Sequence, residues 1–92
     1  NVYPAEVERV LMEHPDVEDA AVVGRPDEKW GEVGHAYVIL KQGATCSGSE
    51  ELLSFCREKL AAYKLPKTIT FCSEFPRTPL GKVRKFLLQE LD

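Results

Sequence analysis

Apolar positions recur along the chain with two periods, and they mark out six elements. Pro4 suits the first position of a helix, and Val7, Val10 and Leu11 form a short apolar stripe behind it. His14-Pro15 stops that helix, because proline cannot continue it. Val17 to Val23 ends in Ala-Ala-Val-Val and reads as a strand closed by Gly24. Residues 24–34 are a loop by composition, and His35 to Lys41, with Tyr37-Val38-Ile39 at its centre, reads as a second strand before a turn at Gln42-Gly43. Ser47 and Glu50 have the spacing of a capping box, and Leu52, Leu53, Cys56, Leu60 and Tyr63 fall on one face of the helix that follows. Pro66 ends it, and Thr68 to Cys72 is a short third strand. Phe75 to Leu80 is a Pro-rich loop, and a last helix starts near Gly81-Lys82 with Val83, Phe86, Leu87 and Leu91 inward. The predicted order is α-β-β-α-β-α, a small α+β domain in which helices cover a three-stranded sheet.

Ninety-two residues make one domain, with room for a single modest core and none for a two-lobed enzyme with its own deep cleft. No apolar run approaches the roughly 20 residues of a membrane helix. The opening Asn1-Val2-Tyr3-Pro4 lacks an initiator Met and reads as the continuation of a longer protein. Three cysteines, Cys46, Cys56 and Cys72, are odd in number and without C-x-x-C spacing. They fit a reduced intracellular compartment, the cytoplasm, and offer no metal site with the two histidines, His14 and His35.

The net charge of −3 hides an uneven distribution. Residues 1–32 hold nine acids and three bases, whereas 33–92 hold six acids and nine bases. Within 64–85, Lys64, Lys67, Arg77, Lys82, Arg84 and Lys85 face only Glu74. A basic stretch on an acidic protein points to an anionic ligand rather than to general nucleic-acid affinity.

Pro76-Arg77-Thr78-Pro79-Leu80-Gly81-Lys82-Val83-Arg84-Lys85 is the most informative segment. On the helical reading, three cations occupy a first turn whose dipole disfavours them by about 0.3–1 kcal/mol each. Such a cost makes sense where an anion is to be met. Arg84 and Lys85 read as solubilising charges, and Lys82, behind Gly81 and two prolines, as a lysine finger. The segment is not a Walker A loop, because Pro76 and Val83 stand where that motif needs Gly and Ser/Thr. Trp30 reads either as a loop anchor or as an aromatic face for a ring such as adenine. Tyr63 continues the apolar helix face, and Lys64 is free to reach a phosphate. His14 and His35 read as structural or exposed, and no catalytic triad assembles.

Six stretches occur in one register: 1–8, His14-Pro15-Asp16-Val17, 20–27, Trp30-Gly31-Glu32, Tyr63-Lys64-Leu65-Pro66-Lys67 and 76–82. On these the chain resembles the C-terminal lid domain of the adenylate-forming (AMP-binding) superfamily of acyl-CoA synthetases, peptide-synthetase adenylation domains and luciferases. The resemblance implies that residues 1–92 are one mobile lid following an N-terminal domain outside this chain. That domain would bind ATP, with Mg2+, and a small carboxylic acid, and the lid alone would show no ligase turnover. The family's Gly-Lys motif falls on Gly81 and Lys82, which implies Lys82 as the adenylation lysine. Trp30, Tyr63 and Lys64 are implied to face coenzyme A, and Asn1 the adenylate phosphate. Leu65 stands where some relatives carry an arginine. Tyr63-Lys64-Leu65-Pro66 and Pro76-Arg77-Thr78-Pro79 look more like acyl- or aryl-CoA synthetases than like peptide-synthetase domains. CoA is thus the expected thiol acceptor, a carrier-protein pantetheine the runner-up, and a free-standing anion- or RNA-binding module a third reading.

Overall fold

The computed structural model describes residues 2–91, with the side chains of Glu90 and Leu91 excepted. Asn1 and the Leu91 side chain therefore lie outside the described residues. Helix α1 (Pro4–Met12) leads into β1 (Val17–Asp27), which turns back as β2 (Gly31–Leu40). Helix α2 (Ser49–Arg57) and a 3-10 turn (Ala62–Lys64) then carry the chain to β3 (Thr68–Phe71), and a second 3-10 helix (Lys85–Leu91) closes it. The sheet order is β1-β2-β3, with β1/β2 antiparallel and β2/β3 parallel. This is the small α+β architecture with a three-stranded sheet that the apolar pattern predicts.

Period-two alternation divides the core between the two faces of the sheet. Ala20, Val22, Ala36 and Val38 meet Val7, Val10 and Leu11 of α1 and Leu52 and Cys56 of α2. Ala21, Tyr37 and Ile39 point the other way and are covered by Phe75 and Leu88, with Cys72 and Val83 alongside. The helices thus seal one face, and the chain after β3 straps the other. The strap is tied down by ion pairs: Arg77 to Asp19 (2.6 Å) and Lys85 to Glu8 (2.6 Å). Glu8 also accepts the Val22 N–H at 2.8 Å, so one carboxylate joins α1, β1 and the last element.

Several local expectations change. Residues 24–34 are the far end of a β-ribbon, with Gly24 opposite Gly34 and Asp27 opposite Gly31. Their Gly, Pro and charged composition signals a loop, but β1 is an edge strand and tolerates Pro26. Helix α2 stops at Arg57, well before Pro66, because the N–H groups of Lys59 and Leu60 both close on the Cys56 carbonyl. Tyr63 therefore leaves the helix face and is 69% exposed. The capping box does not form: Gly48 holds the N-cap position, and Glu51 rather than Glu50 accepts the Ser47 N–H (3.1 Å) and Oγ–H (3.3 Å). In the last element, Leu88 is buried while Phe86 is 72% exposed, the reverse of the inward Phe86 expected of an α-helix starting at Gly81.

Candidate functional site

The segment 76–84 is a β-hairpin and not the opening turn of a helix. Arg77 bridges Val83, and the Arg84 N–H reaches the Pro76 carbonyl at 2.8 Å. Around the tip, the Gly81 N–H donates to the Thr78 carbonyl and the Thr78 N–H to the Lys82 carbonyl, both at 2.8 Å. This is a three-residue loop, Pro79-Leu80-Gly81, with the glycine in the left-handed region (φ +91°) that such loops demand. Proline suits its first position because its φ is already set. The Lys82 N–H is further held by Thr78 Oγ1 at 3.2 Å, and the Arg77 guanidinium reaches the Gly81 carbonyl at 3.1 Å. No helix dipole opposes these cations, so the electrostatic cost expected from the sequence does not arise.

The hairpin leaves Lys82 exposed. Of the six cations in 64–85, Lys64 pairs with Glu6, Lys67 with Asp27, Arg77 with Asp19 and Lys85 with Glu8. Among the described residues Lys82 and Arg84 make no ion pair, and both are exposed. Most of the basic stretch is thus neutralised by acids from the N-terminal third, which the sequence does not reveal as neighbours. Leu80, beside Lys82, is 95% exposed at the loop tip.

Trp30, Tyr63 and Lys64 converge elsewhere. They line one groove of about 580 Å³ together with Val33, Pro66 and Lys67. Trp30 is 68% exposed, which removes its reading as a packed loop anchor, and the Lys29 ammonium sits 5.0 Å from its ring centroid. Lys64 is not free, contrary to expectation: its Nζ lies 2.9 Å from Glu6 Oε1 and 4.9 and 5.6 Å from the ring centroids of Tyr3 and Tyr63. The Glu6 hydrogen bond holds the Lys64 ammonium above the usual lysine range. Sequence reasoning missed Asp27 and Lys67, which join the two sides of this groove. Asp27 Oδ1 accepts the N–H groups of Lys29 (2.8 Å) and Trp30 (3.0 Å), and Lys67 Nζ reaches Oδ2 at 3.0 Å. The aspartate two residues before Lys29 is a readable turn signal, whereas its partner 40 residues on is not.

The two features are tied to different parts of β1. Arg77 anchors the hairpin to Asp19, and the groove opens beside the turn after Asp27. Eight residues of strand separate these aspartates, roughly 26 Å at about 3.3 Å per residue.

A third cluster, His14, Asp16 and Glu51, brings potential ligand atoms within 4.8 Å of one another. Its hydrogen bonds do not suit a metal. The Asp16 N–H donates to His14 Nδ1 (3.0 Å), which leaves the proton on Nε2 to face Glu51 Oε2 (3.2 Å). A cation on Nε2 would force a proton onto Nδ1, against that N–H. The trio instead locks the end of α1 to the start of α2. Burial pushes the Cys56 thiol up to about 11 and raises Cys72 as well, so neither is poised as a nucleophile.

The family model of the AMP-binding enzyme C-terminal domain matches residues 6–82. The chain belongs to this family. The C-terminal domain is 49% identical over 92 residues to the 2-methylpropanoate–CoA ligase of Humulus lupulus, covering 99% of this chain and 16% of the relative. It is 50% identical over 91 residues to the 2-succinylbenzoate–CoA ligase of Geobacillus kaustophilus, covering 99% and 18%. Among solved structures, Mycobacterium tuberculosis fatty acyl CoA synthetase superposes with a TM-score of 0.85 at 44% identity, over 98% of this chain and 18% of that one. ATP-bound MatB from Rhodopseudomonas palustris gives 0.90 at 37% identity, with the same shares covered. The C-terminal domain thus spans less than a fifth of the length of the relatives it matches. No helix among its described residues is long and apolar enough to cross a membrane.

Proposed function

We propose that this chain is the mobile C-terminal domain of an acid–CoA ligase, supplying Lys82 to adenylation and then turning to serve thioester formation with CoA. Two observations carry this: an exposed, hairpin-braced lysine that makes no ion pair among the described residues, on a hairpin anchored at Asp19, and a separate aromatic–lysine groove that includes Trp30 in the turn after Asp27. A single reacting centre cannot touch both at once, so the domain would offer them in turn. The names of the relatives, CoA ligases of a branched short-chain acid and of succinylbenzoate, support the reaction class.

In the first half-reaction a carboxylate oxygen forms a bond to the α-phosphorus of ATP while the bond to pyrophosphate breaks. Lys82 meets the charge on the carboxylate and α-phosphoryl oxygens, a task suited to a point cation held by backbone hydrogen bonds in a site closed to water. Mg2+ and the rest of ATP would be held mainly by the N-terminal domain. In the second half-reaction the groove receives CoA, with Trp30 as a face for the adenine ring and Lys64 near a phosphate. An exposed indole and a pre-oriented ammonium fit that ligand. Neutralisation of four of the six cations in 64–85 argues against a polyanion as the partner.

In the full-length enzyme, Lys82→Ala is expected to abolish most ATP–pyrophosphate exchange while sparing thioester formation from supplied acyl-adenylate. Equal loss of both half-reactions refutes the assignment.

A further inference from the structure

The turn that carries Trp30 projects from the end of a two-stranded ribbon, and one carboxylate determines where it stands. Asp27 is only 14% exposed at its side chain, although it lies beside an exposed turn. One oxygen accepts the two backbone N–H groups of that turn, and the other meets Lys67. These hydrogen bonds, led by the one from Lys67, hold the Asp27 carboxyl below the usual carboxylate range. Lys67 is itself fixed, since its backbone N–H donates to the Gly34 carbonyl at 2.7 Å. It follows Leu65 and Pro66 directly after the 3-10 turn that holds Tyr63 and Lys64. The span from Trp30 through Asp27 and Lys67 to Lys64 therefore joins both walls of the groove.

We propose that Asp27 and Lys67 are positioning residues that hold the Trp30 wall in register with the Tyr63–Lys64 wall, and so set affinity for the adenine-nucleotide end of the thiol substrate. The inference rests on the reading of the groove as the CoA site. The two residues touch no reacting atom; they act through Trp30. Loss of the pair lets the turn swing, which removes one wall without altering the hairpin that bears Lys82.

The test is carried out in the full-length enzyme with two thiols, CoA and pantetheine, the second lacking the adenine nucleotide. Asp27→Ala and Lys67→Met are each expected to raise the KM for CoA about fivefold, the effect of losing a cap or pair on the order of 1 kcal/mol. Pantetheine kinetics and ATP–pyrophosphate exchange are expected to stay unchanged, and Lys67→Arg to keep the CoA KM near that of the parent. An equal loss with both thiols would show a merely structural role and overturn the proposal. Trp30→Ala separates the two levels. If it weakens CoA but not pantetheine while the Asp27 and Lys67 variants do nothing, the positioning role fails and the groove stands. If Trp30→Ala affects both thiols alike or neither, the groove is not the CoA site and the positioning role falls with it.

Discussion

The Lys64 ammonium is already claimed: Glu6 Oε1 lies 2.9 Å away, with the rings of Tyr3 and Tyr63 on its flanks. Any phosphate that uses Lys64 competes with this carboxylate. Glu6→Gln is therefore expected to lower the KM for CoA about twofold, in line with a partly exposed ion pair, while leaving pantetheine kinetics unchanged. A rise in the CoA KM would show that Glu6 orients Lys64 more than it opposes the ligand.

Gly81 adopts φ +91° at the hairpin tip with open space around its missing side chain, so backbone strain alone opposes substitution. Gly81→Ala should cost about 1 kcal/mol locally and shift Lys82. Pyrophosphate exchange is expected to fall several-fold, and the thioester step from acyl-adenylate to change little. Thr78→Val, which removes the Oγ1 acceptor of the Lys82 N–H, should act in the same direction but more weakly. Retained exchange in both variants would count against a need for hairpin rigidity.

The last element makes a sharp comparison of neighbours. Leu88 is fully buried against Tyr37 and Phe75, whereas Phe86 points to solvent. In urea unfolding of the 92-residue chain, Leu88→Ala should lose about 2–5 kcal/mol, and Phe86→Ala less than about 0.5 kcal/mol. The opposite order would mean that this segment winds as an α-helix with Phe86 inward.

Asp27 and Glu51 are both held below the usual carboxylate range, Asp27 chiefly by Lys67 and Glu51 chiefly by the Ser47 N–H. A carboxyl with a lowered folded pKa stabilises the fold above its unfolded value near pH 4 and loses that contribution as pH falls through the folded value. Asp27→Asn and Glu51→Gln should thus be less stable than the parent at pH 7, with the gap narrowing as pH falls from about 4 through the folded values in acid-unfolding curves. A stability gap unchanged between pH 7 and pH 3 would show that the charge on these groups is irrelevant.

Pattern and composition were enough for the α+β class, because period-two runs such as Ala20–Val23 and Ala36–Ile39 can bury alternate residues on both faces only within a sheet. The six motifs, spread from residue 1 to residue 82, were likewise enough for the family. Local periodicity failed where two structures share one pattern. Val83, Phe86 and Leu87 suit a helix face, but Pro79 and Gly81 close a hairpin first, and the strap that follows is set by the sheet face it covers. Tertiary structure alone decided the charges. Glu6, Glu8, Asp19 and Asp27 reach Lys64, Lys85, Arg77 and Lys67 across 40 to 77 residues of sequence, pairings that no local rule encodes. They consume most of the basic stretch and leave Lys82 exposed. Sequence alone singled out Lys82 as a candidate; folding paired four of the five other cations in 64–85, because α1 and β1 carry carboxylates to them.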